Sequence, residues 1–510
     1  MKYAIFVFLC ALVIPLWAAD YNIIDFGAVP NNGIVCTKAI QSAIDQCSLK
    51  GGGRVIIPAG EFLSGTLLLK DHVNLHLESG ALLKGSASLA DYTHNERVYG
   101  LIRAWQAVHI AITGLGTIDG SGTPFFQTDI PHVGADFDRS YIRQGRNYMT
   151  FESGIGDGPI AYESRPDMMV VLLRCETVTI RDVTFRDSPS WTFRIADCDD
   201  VLLHGIRIKN NLLVPNSDGI HCTTSRNVRI SNCDIRAGDD AIIVTGFGDE
   251  INVHGNDSLS NAQYSKRTVG NRTGYAENIV VTNCTLLSRS SGIRVGYGAN
   301  SIRHCTFSNI VITDSNRGIG VFARDEGSIC DIQFSNITIQ TRLFTGHWWG
   351  NGEPIHISAI ARDKAVPVGS IQRVKFDNII AESGSGIVIY GEKPQIIRDV
   401  TLEDVHLAIK RGEHTLTYGG NFDLRPTADL KDAVFQHDIA GLFARHVEHL
   451  DIDGLQLIWD EALPSFYSHG LELEKVIGGR INNYTGSPAP KSKKGETIHM
   501  QDCRDISAQP

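Results

Sequence analysis

Short stretches in which apolar and polar residues alternate recur along this chain of 510 residues. Each stretch consists of two short alternating segments separated by one Asn, Asp or Gly residue, as in residues 228–235 and 305–312. Alternation with a period of two predicts β-strands, and Asn, Asp and Gly accept the left-handed backbone conformation of a sharp bend. The stretches begin at Val178, Val201, Val228, Ile279, Cys305, Ile332, Val374, Val400 and Leu450.

Neighbouring stretches are mostly about 25 residues apart, which is typical of a solenoid. A unit of strand, bend and strand at this period predicts an all-β fold, namely a right-handed parallel β-helix whose coils pair at about 4.8 Å. The bend asparagines should then stack as a ladder of side-chain amides. A leucine-rich repeat is the alternative, but its leucine consensus and its helical segments are missing from this sequence.

Residues 1–19 predict an export signal, because Lys2 is followed by an apolar run and then by two alanines. The run is shorter than the roughly 18 apolar residues expected of a membrane span. We therefore expect an exported protein, periplasmic or extracellular, without a membrane partner.

The remaining chain, 20–510, predicts a single β-helix domain. Residues 37–47 predict a short helix that covers the exposed edge of the first coil. Longer intervals between strand units predict loop insertions near 246–275, 341–365 and 410–447, where a solenoid tolerates extra chain and often forms its binding groove.

The net charge is −10, with acidic and basic residues mixed along the chain, which argues against a nucleic-acid partner. Ten cysteines follow the export signal, and none forms a C-x-x-C pair. We expect packed thiols rather than a disulfide framework or a zinc site. The sequence leaves the oligomeric state open.

Two acidic phrases stand about one repeat apart: Asn-Ser-Asp-Gly with Asp218, and Gly-Asp-Asp with Asp239 and Asp240. Coil stacking should bring these three carboxyls together. Carboxyls about 6.5–9.5 Å apart leave room for a water molecule beside a sugar. Crowding should keep one carboxyl protonated as an acid, while the others stay ionised and activate water. The alternative is that these aspartates only cap turns.

These phrases resemble the polygalacturonase family of glycoside hydrolases, over about residues 21–340. Further matching phrases lie at 25–29, 51–58, 75–86 and 112–120. The resemblance implies a right-handed β-helix that hydrolyses a pectic glycan with inversion and without a cofactor. It also implies that Asp239 is the general acid, that Asp218 and Asp240 activate water, and that Asn216 helps to hold the sugar.

Two phrases of the family are altered here. Ser291 stands where the family has a histidine, and residues 318–322 lack both basic residues of the Arg-x-Lys phrase that binds the galacturonate carboxylate. Either Arg294 or Arg324 supplies a cation for a uronate, or the cleaved sugar is neutral, as in a branched pectin.

The 341–365 insertion contains Trp348 and Trp349, which either stack on a sugar ring or pack the loop onto the coil. Insertions of this kind could close one end of the groove and so favour release of single sugars from chain ends.

Two other functions are open on the sequence alone: a calcium-dependent polysaccharide lyase of the same architecture, and a glycan-binding β-helix without activity. His221 and Cys222 follow Asp218 closely, but they are too few to predict a metal site, and a packed histidine is the simpler interpretation.

Overall fold

The computed structural model describes residues 19–94, 97–132, 139–145, 156–247, 268–269 and 272–509. The predicted export signal therefore lies, apart from Ala19, outside the described residues. Within the described ranges, no helix is long and apolar enough to cross a membrane.

The chain forms a right-handed parallel β-helix, as predicted. Each coil contributes one strand to a 13-stranded sheet, called sheet 1, and further strands to a 22-stranded sheet, called sheet 2. The strands of sheet 1 are Leu67–Leu69, Ile102–Trp105, Val170–Leu173, Phe193–Ala196, Ile220–Thr223, Ile242–Thr245, Ser291–Gly296, Arg317–Ala323, Ile355–Ala359, Ile387–Gly391, Leu442–Arg445, Leu471–Glu474 and Ile498–Gln501.

Sheet 2 carries the repeated sequence pattern. Its strands are Ala19–Asn22, Gly53–Ile57, Gly60–Ser64, Val73–Leu77, Ala81–Gly85, Val108–Gly114, Thr117–Asp119, Glu176–Arg181, Thr184–Arg186, Asp199–His204, Arg207–Lys209, Arg226–Ser231, Asp234–Ala237, Ala276–Ser288, Ile302–Ser315, Ile329–Thr341, Ile371–Ser383, Ile397–Ile409, Val447–Asp453, Gln456–Trp459, Ile477–Asn482 and Arg504–Ala508.

The other elements are short. The helices are Thr37–Leu49 and Thr415–Tyr418, with 3-10 turns at Ile23–Phe26, Leu89–Tyr92, Thr123–Phe125, Arg139–Tyr141 and Leu430–Asp432. Antiparallel pairs join Thr93–His94 with Arg97–Val98, Phe126–Pro131 with Ile160–Tyr162, Thr268–Val269 with Arg272–Thr273, and Asn421–Asp423 with Val434–Gln436.

The core lies inside the coil, where equivalent residues of successive turns stack. Phe307, Phe334 and Phe376 are fully buried, and their ring centroids are 5.0 and 4.9 Å apart. This separation is close to the spacing of paired strands, so the stacking of side chains follows from the backbone register.

The predicted bends are confirmed. The fifth residue of each repeated stretch has a positive φ, from 50° at Asp404 to 72° at Gly454. The asparagine ladder is also present, because Asn336 Nδ2 donates to Asn309 Oδ1 at 3.3 Å and Asn378 Nδ2 donates to Asn336 Oδ1 at 2.8 Å.

The capping helix is confirmed as well. Helix α1, Thr37–Leu49, buries Ile40, Ala43, Ile44 and Cys47 against the first coil. Gly51, with a φ of +94°, follows the helix end in the left-handed conformation that favours glycine.

All ten cysteines of the described residues are free, and most of them are buried in the coil. This agrees with the prediction of packed thiols.

The insertions differ from the predicted ranges. The 341–365 range includes strand Ile355–Ala359, and the 410–447 range includes strand Leu442–Arg445, so the extra chain in each is shorter. Most of the 246–275 range lies outside the described residues. An insertion that the repeat pattern did not reveal joins strand Thr117–Asp119 to strand Val170–Leu173.

Candidate active site

The two acidic phrases meet because they precede neighbouring strands of sheet 1. Ile220 pairs with Ile242, so Asp218 and Asp240 hold the same position on adjacent coils. The backbone amide of Gly219 donates to the carbonyl of Asp240 at 2.9 Å, which extends the pairing to the acidic residues. Asp218 and Asp240 therefore stand about one strand spacing, about 4.8 Å, apart along the coil axis.

The glycines of these phrases are required by close backbone contacts. A Cβ atom on Gly219 would lie 2.3 Å from the carbonyl oxygen of Ala241, and one on Gly238 would lie 2.4 Å from that of Val214. The amide of Gly238 also donates to Ser217 Oγ at 3.0 Å. The glycines thus allow the two coils to approach, and that approach gathers the aspartates.

Each carboxyl has a different environment. Asp240 Oδ1 accepts from the Ser291 amide at 2.8 Å, and its Oδ2 lies 2.5 Å from Arg294 Nε. Asp239 is partly buried, and its Oδ2 accepts from Asn216 Nδ2 at 3.3 Å. Asp218 is 2% exposed, and its Oδ1 has no hydrogen-bond partner among the described residues. Asp240 is thus the carboxyl whose negative charge is best compensated.

Protonation follows from these environments. Burial, together with the charge of Asp240, raises the pKa of Asp239 to about 7. Burial and the charges of Asp239 and Asp240 raise the pKa of Asp218 well above its usual value. Arg294 opposes both changes, and its own pKa is raised by Asp240 although burial alone would lower it. The cluster therefore combines a carboxyl that can hold a proton near neutral pH with one that is paired with Arg294.

Asn216 is oriented by a residue that the sequence did not reveal. Arg165 Nη2 donates to Asn216 Oδ1 at 3.0 Å, while Arg165 Nη1 donates to the carbonyl of Pro215 at 2.6 Å. The guanidinium also stacks on Tyr162, with 4.1 Å between Cζ and the ring centroid. Arg165 belongs to the insertion after Asp119, where no repeat pattern marks it.

His221 lies on the outer face of the strand that follows Asp218. Its ring stacks on Trp191 with centroids 3.8 Å apart, and its Nδ1 is 3.8 Å from Asp218 Oδ2. Burial and the nearby Arg294 lower the pKa of His221 well below its usual value, so the ring is neutral. The interpretation as a packed histidine holds, with the addition that it packs beside the aspartates.

Arg294 and Arg324 differ sharply in their surroundings. Arg294 lies among the three aspartates, with its Cζ 4.5 Å from the centroid of the Tyr297 ring. Arg324 is 1% exposed and donates to the carbonyls of Ser358 and Leu424 at 2.9 Å each. Arg324 joins one coil to the 410–447 insertion, so we correct the expectation that it meets a substrate.

The tryptophans pack the loop onto the coil. Trp348 is 5% exposed, and its indole donates to the Asp157 carbonyl at 2.7 Å, so its ring is not a free platform for a sugar. Trp349 is partly buried and packs against the cluster formed by Phe247, Tyr297, Ala299 and Phe322. Of the two alternatives, packing of the loop therefore applies to Trp348, whereas Trp349 keeps some exposed surface.

The region without the family's basic phrase is filled by aromatic packing. A Cβ atom on Gly320 would lie 2.5 Å from the Phe322 ring, so that ring covers the space of a side chain at 320. Gly320 pairs with Arg294 on the preceding coil. Arg294 thus has no basic neighbour at the paired position on the next coil.

Insertions cover the outer face of sheet 1 one coil beyond Arg294. Asp423 lies 3.9 Å from Arg317 Nη2, at the start of strand Arg317–Ala323, and Leu424 accepts from Arg324 just after its end. Arg425 binds Asp423 through Nε at 2.9 Å and through Nη2 at 3.0 Å. The segment around Asp423 therefore crosses this strand.

The 341–365 insertion is tied to this segment and, in turn, to the insertion that contains Asp157. The Gly350 amide donates to Asp423 Oδ2 at 2.6 Å, and Arg342 Nη1 donates to Asp157 Oδ2 at 3.1 Å. Together the insertions form what we call the wall, represented by Asp157, Gly350 and Asp423. The wall bounds the site on the side of the later coils.

Among the described residues, His469, Glu496 and His499 could together offer three ligand atoms to a metal, within 4.8 Å of one another. However, His469 Nδ1 accepts from the Glu496 amide at 3.0 Å, so a neutral ring carries its proton on Nε2. This cluster is therefore a hydrogen-bonded group on the last coils rather than a prepared metal centre.

Comparison with known proteins agrees with this architecture. A probable polygalacturonase of Vitis vinifera is 25% identical over 392 residues, which are 72% of this chain and 70% of that protein. An exo-poly-alpha-D-galacturonosidase of Dickeya chrysanthemi is 26% identical over 378 residues, 62% of each chain.

Among solved structures, the family 28 exopolygalacturonase of Yersinia enterocolitica is similar, with a TM-score of 0.62 and 17% identity, covering 96% of this chain and 78% of that one. At this identity the likeness concerns the fold. The sequence also matches the family described as Glycosyl hydrolases family 28 over residues 47–346, more than half of the chain. This chain is therefore a glycoside hydrolase and a member of glycosyl hydrolases family 28.

Proposed function

We propose that the protein hydrolyses glycosidic bonds of a galacturonan-type pectic glycan, with Asp239 as the general acid. The observation that carries this proposal is the cluster of Asp218, Asp239 and Asp240 on adjacent coils, with Arg294 in their midst. Relatives named as polygalacturonases support the substrate class.

In the proposed reaction, the protonated Asp239 transfers its proton to the glycosidic oxygen while the bond from that oxygen to the anomeric carbon breaks. Asp240, which pairs with Arg294 and accepts from the Ser291 amide, takes a proton from the attacking water. The water oxygen bonds to the anomeric carbon from the opposite face, which inverts its configuration. Asp218, whose raised pKa favours a proton, orients the same water.

Substrate binding in this proposal involves Asn216, Arg294 and Trp349. Asn216 is held by Arg165 so that its amide nitrogen faces Asp239, close to the sugar that is cleaved. Arg294 is the cation beside the aspartates and suits a uronate carboxylate, although it already pairs with Asp240. A uronate at the cleaved position is therefore the preferred substrate unit, and a neutral sugar of a branched pectin is the alternative result.

The wall supports removal of sugars from chain ends. Because Asp423 crosses strand Arg317–Ala323, one coil beyond Arg294, a polymer lying along sheet 1 meets protein shortly after the aspartates. A site closed on one side accepts a chain terminus more readily than a continuous chain. We propose export to the periplasm or the cell exterior, where pectic polymers would be met.

The test is to incubate the protein with a panel of galacturonan and rhamnogalacturonan fragments and to identify the first product and its anomeric form by NMR. We expect saturated single sugars of inverted configuration, formed equally with and without a chelator. Products that absorb in the ultraviolet and disappear with chelator would indicate a lyase. No product from any fragment would favour a binding protein.

A further inference from the structure

A cavity of about 520 Å³, separate from the aspartates, opens on the first coils of sheet 1 beside helix α1. We propose that this cavity binds a uronic-acid unit, with Arg103 holding the carboxylate and Trp105 supporting the sugar ring. The choice of a uronate rests on the proposed substrate class. The cavity would hold a distant part of the same polymer.

The first support for this proposal is the environment of the Arg103 guanidinium. Its guanidinium stacks on the Tyr99 ring, with 4.0 Å between Cζ and the ring centroid, and the residue is only partly exposed. Among the described residues, no side chain or carbonyl accepts a hydrogen bond from this guanidinium. A partly desolvated cation normally has a hydrogen-bonding partner, and the planar fork of Arg matches a carboxylate.

Lys70, the neighbouring basic residue, differs from Arg103 because it has a partner. Lys70, which also lines the cavity, already pairs with Asp45 at 2.8 Å. Of these two described residues, Arg103 is therefore the one whose donors are available, and a carboxylate entering beside Tyr99 would complete its hydrogen bonds.

The second support is Trp105, which is 55% exposed and lines the same cavity. Leu68, which pairs with Arg103 on the neighbouring strand, is 43% exposed and also lines the cavity. A large indole next to an available guanidinium combines a flat apolar surface with a charged fork. These two groups suit the apolar face and the carboxylate of a uronate.

The strand register gives the distance between this cavity and the active site along the coil axis. Trp105 pairs with Leu173, Leu173 with Ala196, and Ala196 with Thr223, which ends the strand after Asp218. Three coils at about 4.8 Å give roughly 14 Å along the axis. Leu173 and Ala196 are buried in a cluster between the two sites. One polymer chain of several sugars could therefore reach both sites.

The experiment uses the full chain carrying 5-fluorotryptophan, with D-galacturonate as the probe and D-galactose as its uncharged counterpart. Neither sugar contains a bond that the enzyme could hydrolyse. The Trp105 resonance is assigned as the fluorine signal missing from Trp105→Phe. We expect this resonance to shift saturably with galacturonate and to need at least about tenfold more galactose, the loss expected for one charged hydrogen-bonded contact.

Arg103→Gln should raise the galacturonate concentration needed for the shift by about tenfold or more and remove the preference over galactose. Arg103→Lys keeps the charge without the fork and should give an intermediate effect; it also serves if the Gln variant does not fold. Leu115→Ala, which truncates a 69% exposed side chain elsewhere, is the matched control and should titrate like the parent.

A Trp105 resonance that does not respond to galacturonate, or responds equally to galactose, overturns the proposal. An Arg103→Gln titration identical to the parent's also overturns it. Because the readout requires no turnover, failure of the proposed hydrolysis leaves this result interpretable on its own.

Discussion

Replacing Asp239 with Asn should stabilise the folded protein at neutral and higher pH. The carboxyl of Asp239 is partly buried beside Asp240, and its pKa of about 7 compares with 3.8 for an ordinary aspartate. A group whose pKa is higher in the folded than in the unfolded protein lowers stability as the pH rises between those two values. This carboxyl should therefore lower the stability of the parent increasingly between about pH 4 and pH 7, and the Asp239→Asn substitution removes that contribution.

The size of this stabilisation follows from the difference between the pKa of Asp239 in the folded and in the unfolded protein. The difference between 3.8 and about 7 corresponds to a gain in the free energy of unfolding on the order of 4 kcal/mol above pH 7. Below about pH 4 both side chains are neutral, and the two proteins should be equally stable. The active-site acid thus costs stability under the conditions in which the enzyme would work.

The assay is urea unfolding of the parent and of Asp239→Asn at pH 4 and at pH 8, followed by circular dichroism. Asp505→Asn, at an exposed position on the last coil, is the matched control and should change the midpoint little at either pH. A variant that loses stability at pH 8, or that gains equally at both pH values, would refute the reasoning.

The other predictions concern backbone approach, core stacking and the protonation of the acid. Gly238→Ala should destabilise the fold by about 1–3 kcal/mol and reduce hydrolysis, because its Cβ would lie 2.4 Å from the Val214 carbonyl; unchanged unfolding midpoints and rates would contradict this. Phe334→Ala should cost about 3–5 kcal/mol in urea unfolding, since it removes the middle ring of a stack, while the folded fraction keeps its activity. The rate at low substrate should fall as the pH rises through about 7, where Asp239 loses its proton; a flat profile from about pH 6 to about pH 9 would argue against Asp239 as the acid.

Much of the fold could be predicted because each coil needs the same two features, a bend with a positive φ and strands with one buried side. The bends at Asn283, Asn309 and Asn336 need a positive φ, and the two-residue alternation buries one side of each strand. The gathering of Asp218 with Asp239 and Asp240 follows from the same register. The pairing adds one detail, because Asp240 rather than Asp239 is directly in line with Asp218.

The remaining parts of the site come from insertions, whose contacts carry no repeat. Arg165 reaches Asn216 from a segment far away in the sequence, and no pattern predicts that contact. Arg324 looks as suitable as Arg294 in the sequence, yet the 410–447 insertion buries it. Trp348 is buried for a similar reason, since Asp157 of another insertion accepts its indole hydrogen bond.

The turnover of Asp239→Asn on an oligogalacturonate, relative to the parent, tests most directly whether the clustered aspartates perform hydrolysis. The variant keeps the size of the side chain and, by the argument above, does not lower the stability of the fold. We expect kcat to fall by about 10²–10⁴-fold, the usual contribution of general acid catalysis. A variant that keeps the parent's kcat would contradict the assignment of Asp239 as the acid and with it the account of this site.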